Sequence, residues 1–277
     1  MSKRFTYYGS FASAAYFTDL FGIPAIAVSL RKLSPNAVYS GPAIRVRRSS
    51  DNTEQDISFA SSSPNSGIDT TALLSFVGAN NGFVTTWYDQ SGNARNAIQT
   101  TAANQPQIVS SGAMIDINSK NSIKFDGTDD HLIINYKAAI DVITVETVQK
   151  FNNITGSRVS LTVAEGVLKQ LYLQWVNGGT FRNFYNNTTT NTTPTTNQVI
   201  YSFYMGNSNG GFYENSVLTA SKTQAIQTSN TNIYIGSYSN PSAFADVNHQ
   251  EIILWQSDKQ TDRSAIQTNI NDYYNVF

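Results

Sequence analysis

From Phe83, just after Asn81-Gly82, to Trp255 the chain runs as short stretches rich in Val, Ile, Thr, Tyr and Phe, cut by Asp126-Gly127, Asn177-Gly178-Gly179 and Asn209-Gly210-Gly211. β-Branched and aromatic side chains suit a pleated surface, and a Gly after Asn or Asp supplies the positive φ of a tight turn. This punctuation predicts strands near 106–110, 121–125, 131–136, 142–151, 158–164, 169–176, 180–185, 199–205, 211–219, 231–236 and 249–256, besides Phe83–Tyr88. Residues 43–48 alternate as well, with Ile44 and Val46 on one face and Arg45 and Arg47 on the other. About twelve strands with two or three small helices describe an all-β sandwich. The helices are expected at Ala25–Leu33, at Thr70–Val77 between Asp69 and Gly78, and at Gln260–Tyr273 behind a Ser257/Gln260 capping box. Residues 49–68 and the polar Asn186–Asn197 run read as loops.

Composition narrows the function. Only 13% of the 277 residues are charged and roughly a third are Asn, Ser or Thr. With 18 Lys+Arg against 19 Asp+Glu there is no basic footprint for nucleic acid and no electrostatic pull toward an anionic membrane. Zero cysteines exclude disulfides, thiolate catalysis and Cys-ligated zinc, and the two histidines, His131 and His249, exclude a three-histidine metal centre. No apolar run is long enough for a transmembrane helix. The start, Met1-Ser-Lys-Arg-Phe-Thr-Tyr-Tyr8, lacks the apolar core of a secretory signal, so synthesis and folding in a cytoplasm are expected. Residues 1–24 concentrate Phe5, Tyr7, Tyr8, Phe11, Tyr16, Phe17, Leu20 and Phe21. They form an arm that packs on its own domain, residues 25–277, or anchors in a partner subunit.

Several side chains are site candidates. Asp89, Gln90, Ser91 and Asn93 offer the hard oxygen donors of a calcium site, and equally the donors and acceptors of a capped turn. Asp126, Asp129 and Asp130 cluster in the same way, without EF-hand spacing. No other cofactor is expected. Arg45 and Arg47 are candidates for clamping an acidic sugar, against the alternative of ion pairs with Asp51, Glu54 or Asp56. Trp175, whose strand ends at Asn177, is the candidate for stacking on a sugar face, against core packing for Trp87 and Trp255.

The stretches Ser40–Ile57 and Thr86-Trp-Tyr-Asp-Gln-Ser-Gly-Asn-Ala-Arg-Asn-Ala97 resemble the N-terminal half of the α-L-arabinofuranosidase B catalytic domain. The resemblance implies a concanavalin A-like, or laminin-G-like, jelly-roll sandwich. With an ending like Ser257–Tyr274, the same segments are similar to proteins of Bacteroidetes-type bacteria and their phages. In that family the nucleophilic Glu ends a Cys-Cys-Phe-Asp-Tyr-Gly-Asn-Ala stretch. Its counterpart here is Ser160-Leu-Thr-Val-Ala-Glu165, which makes Glu165 the catalytic candidate. The family's acid/base Asp lies in Gly-Gly-Asp-Asn-Ser, and the matching Ile235–Asn240 carries no acid.

Retaining hydrolysis needs two carboxyl groups about 5–5.5 Å apart. With one missing from the matching segments, the sequence is read as non-enzymatic. The likeness to phage-encoded proteins, the lack of a signal segment, the low-charge Asn/Ser/Thr-rich composition and the aromatic arm then make the expectation a bacteriophage virion protein: a spike, fibre or capsid decoration. Its expected partners are other virion proteins, held through the arm, and a host-surface glycan, with assembly as a homo-oligomer. The alternatives are a glycan-active hydrolase using Glu165 with Asp246 or Glu251, and a secreted sugar-binding module.

Overall fold

The computed structural model describes residues 15–138, 142–165, 170–176, 180–184, 195–205, 209–223, 232–239 and 241–277. The turn at Asn177–Gly179, most of the Asn186–Asn197 run and the arm residues Phe5, Tyr7, Tyr8 and Phe11 lie outside the described residues.

The strands build an all-β sandwich. Its first layer runs, neighbour to neighbour, through Glu54–Ile57, Ile44–Arg48, Gly82–Trp87, Ala97–Ile98, Leu132–Ile134, Ile233–Ile235, Arg158–Glu165, Gln170–Val176 and Thr180–Phe184. The second runs through Val217–Thr223, Asn209–Glu214, Gln198–Met205, Ile143–Phe151 and Asp246–Trp255. Ile26–Ser29 and Ile123–Asp126 then share the far edge of Asp246–Trp255. Gln107–Ser110 joins the layers, pairing with Lys124 on one side and Gly82–Phe83 on the other. All these pairings are antiparallel, so hairpins and long connections suffice and no crossover helix is needed.

Alternation places the core. Ile44, Val46, Val84, Leu132, Ile134, Ile233, Ile235 and Leu161 of the first layer meet Val145, Val199, Phe203, Val247 and Leu254 of the second, all buried. A smaller core covers the back of the second layer. There Ile266, Ile270 and Tyr274 of the helix Arg263–Tyr274, with Phe17 and Phe21 of the helix Phe17–Phe21, close over Val148, Ile200, Ile253 and Trp255. Of the aromatic arm, Phe17 and Phe21 therefore pack on this chain, while Leu20 and Ile23 stay exposed.

Four local expectations are corrected. Ala25–Leu33 contains the strand Ile26–Ser29, not a helix. Ile26 and Val28 enter the main core while Ala27 enters the smaller one, so both faces are apolar and no period distinguishes strand from helix. Within 49–68, Glu54–Ile57 is an edge strand whose acids answer Arg45 across the ladder. The 211–219 run is two strands, turned at Asn215-Ser216, which both take positive φ. The last helix starts at Arg263 behind Asp262, and the Ser257 carbonyl instead accepts a bond from Thr144 Oγ1 at 3.0 Å. By contrast Thr70–Val77 is the expected helix, with Asp69 Oδ1 accepting the Ala72 N–H at 2.9 Å. Among the described residues no helix is long and apolar enough to cross a membrane.

Candidate functional site

The Trp87–Ala97 turn is held from inside by one carboxylate. Asp89 is fully buried. Its Oδ1 accepts the N–H groups of Ala27 at 2.8 Å and Ser91 at 2.9 Å. Its Oδ2 accepts Ser91 Oγ at 2.7 Å and the Arg95 N–H at 3.0 Å. Gln90 bonds the backbone of Leu33, Ser29 and Arg31, and Asn93 Nδ2 reaches Ala25 O at 3.2 Å. The oxygens of Asp89 therefore fix the loop onto the strand Ile26–Ser29, and Asn93 adds to the same tether.

That tether positions an open surface. Along the outside of the first layer, register aligns Asp56, Arg45, Thr86, Ile98, Ile133, Tyr234 and Thr162 as one cross-strand row. Two depressions adjoin it. One, of about 540 Å³, is lined by Arg95, Asn96, Ile98, Gln99, Ile133 and Asn135 among others. The other, of about 510 Å³, includes Tyr39, Asp56, Tyr88 and Asn96. They share Ala94 and Asn96. Tyr88 OH donates to Asp56 Oδ1 at 2.8 Å, and partial burial together with that carboxylate raises the phenol's pKa.

The arginines divide by role. Arg45 pairs with Glu54 at 2.8 Å and Asp56 at 3.3 Å at the rim. Arg47 is buried over the Phe83 ring and donates to Gln105 Oε1, to Asn52 Oδ1 and to Ala102 O. Gln105 in turn donates to Gln99 O, and Gln99 Nε2 lies 2.9 Å from His131 Nε2. Because the Asp129 carbonyl 2.8 Å from His131 Nδ1 only accepts, the ring carries its proton on Nδ1 and takes Gln99's N–H at Nε2. One polar chain thus runs from Arg47 beneath the first depression to the hairpin of Asp129.

In that hairpin Asp126, Asp129 and Asp130 bring their oxygens within 4.8 Å of one another. Asp126 is exposed and Asp130 buried, its Oδ2 accepting the Asp126 N–H at 3.0 Å. Burial first, and then the Asp126 charge, push Asp130 up to about 7. The turn that contains Asp89 and Asn93 is a separate one.

Glu165 ends the strand Arg158–Glu165, opposite Gln170, and Trp175 stands in the next strand opposite Arg158 and Phe181. Neither expected partner acid is placed at the end of the strand Arg158–Glu165. Glu251 is fully buried on the helix-covered back of the second layer, in an ion pair with Arg31. Phe244 bridges to Val159 in parallel. Even continued in that direction, Asp246 would be level with Leu161, four residues and about 13 Å short of Glu165 at ~3.3 Å per residue. Asp246 instead faces Asp126 in the ladder and accepts a bond from Asn152 Nδ2 at 2.8 Å.

Tyr88, Asn96, Ile98, Ile133 and Tyr234 were not singled out by sequence. The available signal was an apolar residue on the outward phase, since Ile133 sits between the fully buried Leu132 and Ile134.

Comparison with known proteins places this geometry. The family described as "Alpha-L-arabinofuranosidase B, catalytic" matches residues 22–215. A search of curated proteins returns no match. Among solved structures, a GH54 α-L-arabinofuranosidase soaked with a cyclic sulfate inhibitor superposes with a TM-score of 0.72 at 15% identity. A mutant GH54 enzyme soaked with 4-nitrophenyl α-L-arabinofuranoside gives 0.73 at 14%. An arabinofuranosidase complexed with arabinofuranosyl-α-1,2-xylobiose gives 0.65 at 15%. Each comparison covers 91% of this chain and 63% of the other. At such identities the structures speak for the fold. The match to a catalytic domain over well more than half of the chain overturns the expectation of a non-enzymatic virion, spike, fibre or capsid protein. That expectation rested on likeness to phage-encoded proteins, on the low-charge composition, the aromatic arm and the N-terminal sequence, and on a carboxylate missing from one segment, whereas the match extends through both layers of the sandwich.

Proposed function

The chain belongs to the α-L-arabinofuranosidase B catalytic family, and from that premise we propose that it is a glycoside hydrolase acting on α-L-arabinofuranosyl groups of a glycan. The observation that carries this reading is the family match over residues 22–215. The superposition of 91% of the chain on GH54 sandwiches supports it, and is consistent with a jelly roll of the concanavalin A-like kind. We assign Glu165 to the reaction as the carboxylate that attacks the anomeric carbon; the leaving oxygen departs with the bonding electron pair and takes its proton from water, since Asp246 and Glu251 are both held elsewhere. Water then releases the sugar from Glu165.

The test is release of nitrophenol from 4-nitrophenyl α-L-arabinofuranoside and of arabinose from arabinan by the full chain. Glu165→Gln should lower kcat by several orders of magnitude. Glu165→Ala with azide should give a glycosyl azide of inverted anomeric configuration, as a missing nucleophile requires. A retained azide would make Glu165 the acid/base instead. Full activity of Glu165→Gln would remove it from the mechanism, and no release from either substrate by the wild type would remove the hydrolase reading.

A further inference from the structure

The outward row and its two depressions are not needed to cleave a single sugar. From Tyr234 to Asp56 the row crosses five strand gaps, or about 24 Å at ~4.8 Å per gap, several times the width of one furanose ring. We propose that this surface is an extended groove for the main chain of a neutral polysaccharide, the polymer that bears the arabinofuranosyl branches. The substrate class rests on the hydrolase reading above. The groove itself rests on its own geometry.

Its chemistry favours a polyhydroxylated, uncharged ligand. The charged groups of the lining are already answered. Arg95 donates to Ala25 O at 3.0 Å and stacks 3.9 Å from the Tyr136 ring centre; Asp56 takes Arg45 and Tyr88; Asp89 is closed within its turn. Hydrogen-bonding groups remain for a ligand. Asn96 uses only its Oδ1, accepting the Asp89 N–H at 3.0 Å, and the exposed Asn135 makes no hydrogen bond to a described residue. Between these amides Ile98, 43% exposed, and Ile133 present an apolar strip suited to the C–H face of a sugar. At the shared wall Ala94 is held at φ 57°, a left-handed conformation that costs a non-glycine residue and that the Asp89 tether enforces. The floor is rigid, since Gln99 is fixed by Gln105, His131 and the Thr101 N–H. Rigid walls, answered charges and paired amide and apolar strips are what a preorganised glycan site needs.

Affinity gel electrophoresis of the full chain in arabinan, in arabinoxylan and in polygalacturonate tests this, with aryl-arabinofuranoside hydrolysis measured separately on the wild type. Ile98→Glu should weaken retardation by the neutral polymers about tenfold or more, and Asn135→Ala by about threefold. Thermal unfolding checks that each variant folds. Leu218→Glu, exposed on the second layer, should bind as wild type. Neutral-polymer binding lost in both groove variants supports the proposal, and does so even where the wild type hydrolyses nothing, in which case only the hydrolase reading fails. Hydrolysis with binding untouched by both variants overturns the groove and leaves the hydrolase standing. Equal retardation by polygalacturonate, or none by any polymer, overturns the groove as well.

Discussion

Arg31 and Glu251, 220 residues apart, are joined inside the protein by two parallel bonds: Nε to Oε2 at 2.7 Å and Nη2 to Oε1 at 2.9 Å. Both side chains are fully buried. Arg31 Nη1 also donates to Asn65 Oδ1 and Asn269 Oδ1, and Ser29 Oγ donates to Glu251 Oε2 at 2.7 Å. The guanidinium lies over the rings of Phe17, Tyr273 and Tyr274, so one cation ties both terminal helices to the second layer.

Breaking this pair should cost more than removing it. Glu251→Leu or Arg31→Met leaves one buried charge without its partner, a loss of about 3–5 kcal/mol. The double variant Arg31→Met/Glu251→Leu should recover much of that loss. Urea unfolding of the three proteins checks this, and a double variant as unstable as the sum of the singles would contradict it.

Stability should fall from pH 5 to pH 8. Burial, reinforced by Glu251, pushes Glu146 from 4.5 up to about 8, and Asp130 rises from 3.8 to about 7. Across those intervals the folded protein holds protons that the unfolded chain releases, so each acid subtracts up to ~1.4 kcal/mol per pH unit as pH rises. His249 acts oppositely. Burial lowers it from 6.5 to about 3, so its contribution is lost as pH falls through that interval. Two acids outweigh one histidine where the intervals overlap. Glu146→Gln keeps an acceptor for Ser202 and Tyr204 and should flatten the decline between pH 5 and 8. A denaturation profile parallel to that of the wild type would refute the assignment.

Much of the sandwich is legible in the sequence because β-branched runs and Asn-Gly or Asp-Gly turns report local geometry. Asp69 and Gly78 mark a helix for the same reason. Legibility ends where both faces of a segment are buried, as at Ile26–Ser29, or where a strand is charged because it lies at an edge, as at Glu54–Ile57. The site was harder. Asp89 stood out by residue type, yet its bond to Ala27 joins positions 62 apart. The row from Asp56 to Tyr234 is a product of register between strands far apart in the chain, which no local period encodes.

Asp89 should be among the most sensitive polar positions. Asp89→Ala leaves the N–H groups of Ala27, Ser91 and Arg95 without their acceptor, at about 1–3 kcal/mol for each buried donor that finds no water. Asp89→Asn keeps one acceptor but turns an N–H₂ group toward other donors, so it should recover only part of the loss. Ser91→Ala removes the single 2.7 Å hydroxyl bond and should cost about 1 kcal/mol. Unfolding midpoints should therefore rank Asp89→Ala lowest and Ser91→Ala highest. Equal midpoints for the three would show that the tether does not hold the loop.

Gly236 separates packing from backbone strain. Its φ is +85°, and a Cβ there would run into the Phe125 ring and stand 3.0 Å from the Asp130 carbonyl oxygen. Gly78 also has positive φ, +61°, but a Cβ would meet nothing within 4 Å. Gly78→Ala should thus cost only its backbone conformation, φ 61° with ψ −137°, a combination that side-chain-bearing residues rarely adopt, about 1–3 kcal/mol. Gly236→Ala should add the cost of overpacking, about 1–3 kcal/mol more. Phe125→Leu, which takes the ring away, should be more damaging in the wild type than in the Gly236→Ala background, where it also relieves the clash. A double-mutant cycle on unfolding free energies measures that difference. Strict additivity would mean that the first layer and the Phe125 ring are not in contact at this point, and that the junction between Ile233–Ile235 and the acidic hairpin is looser than the geometry indicates.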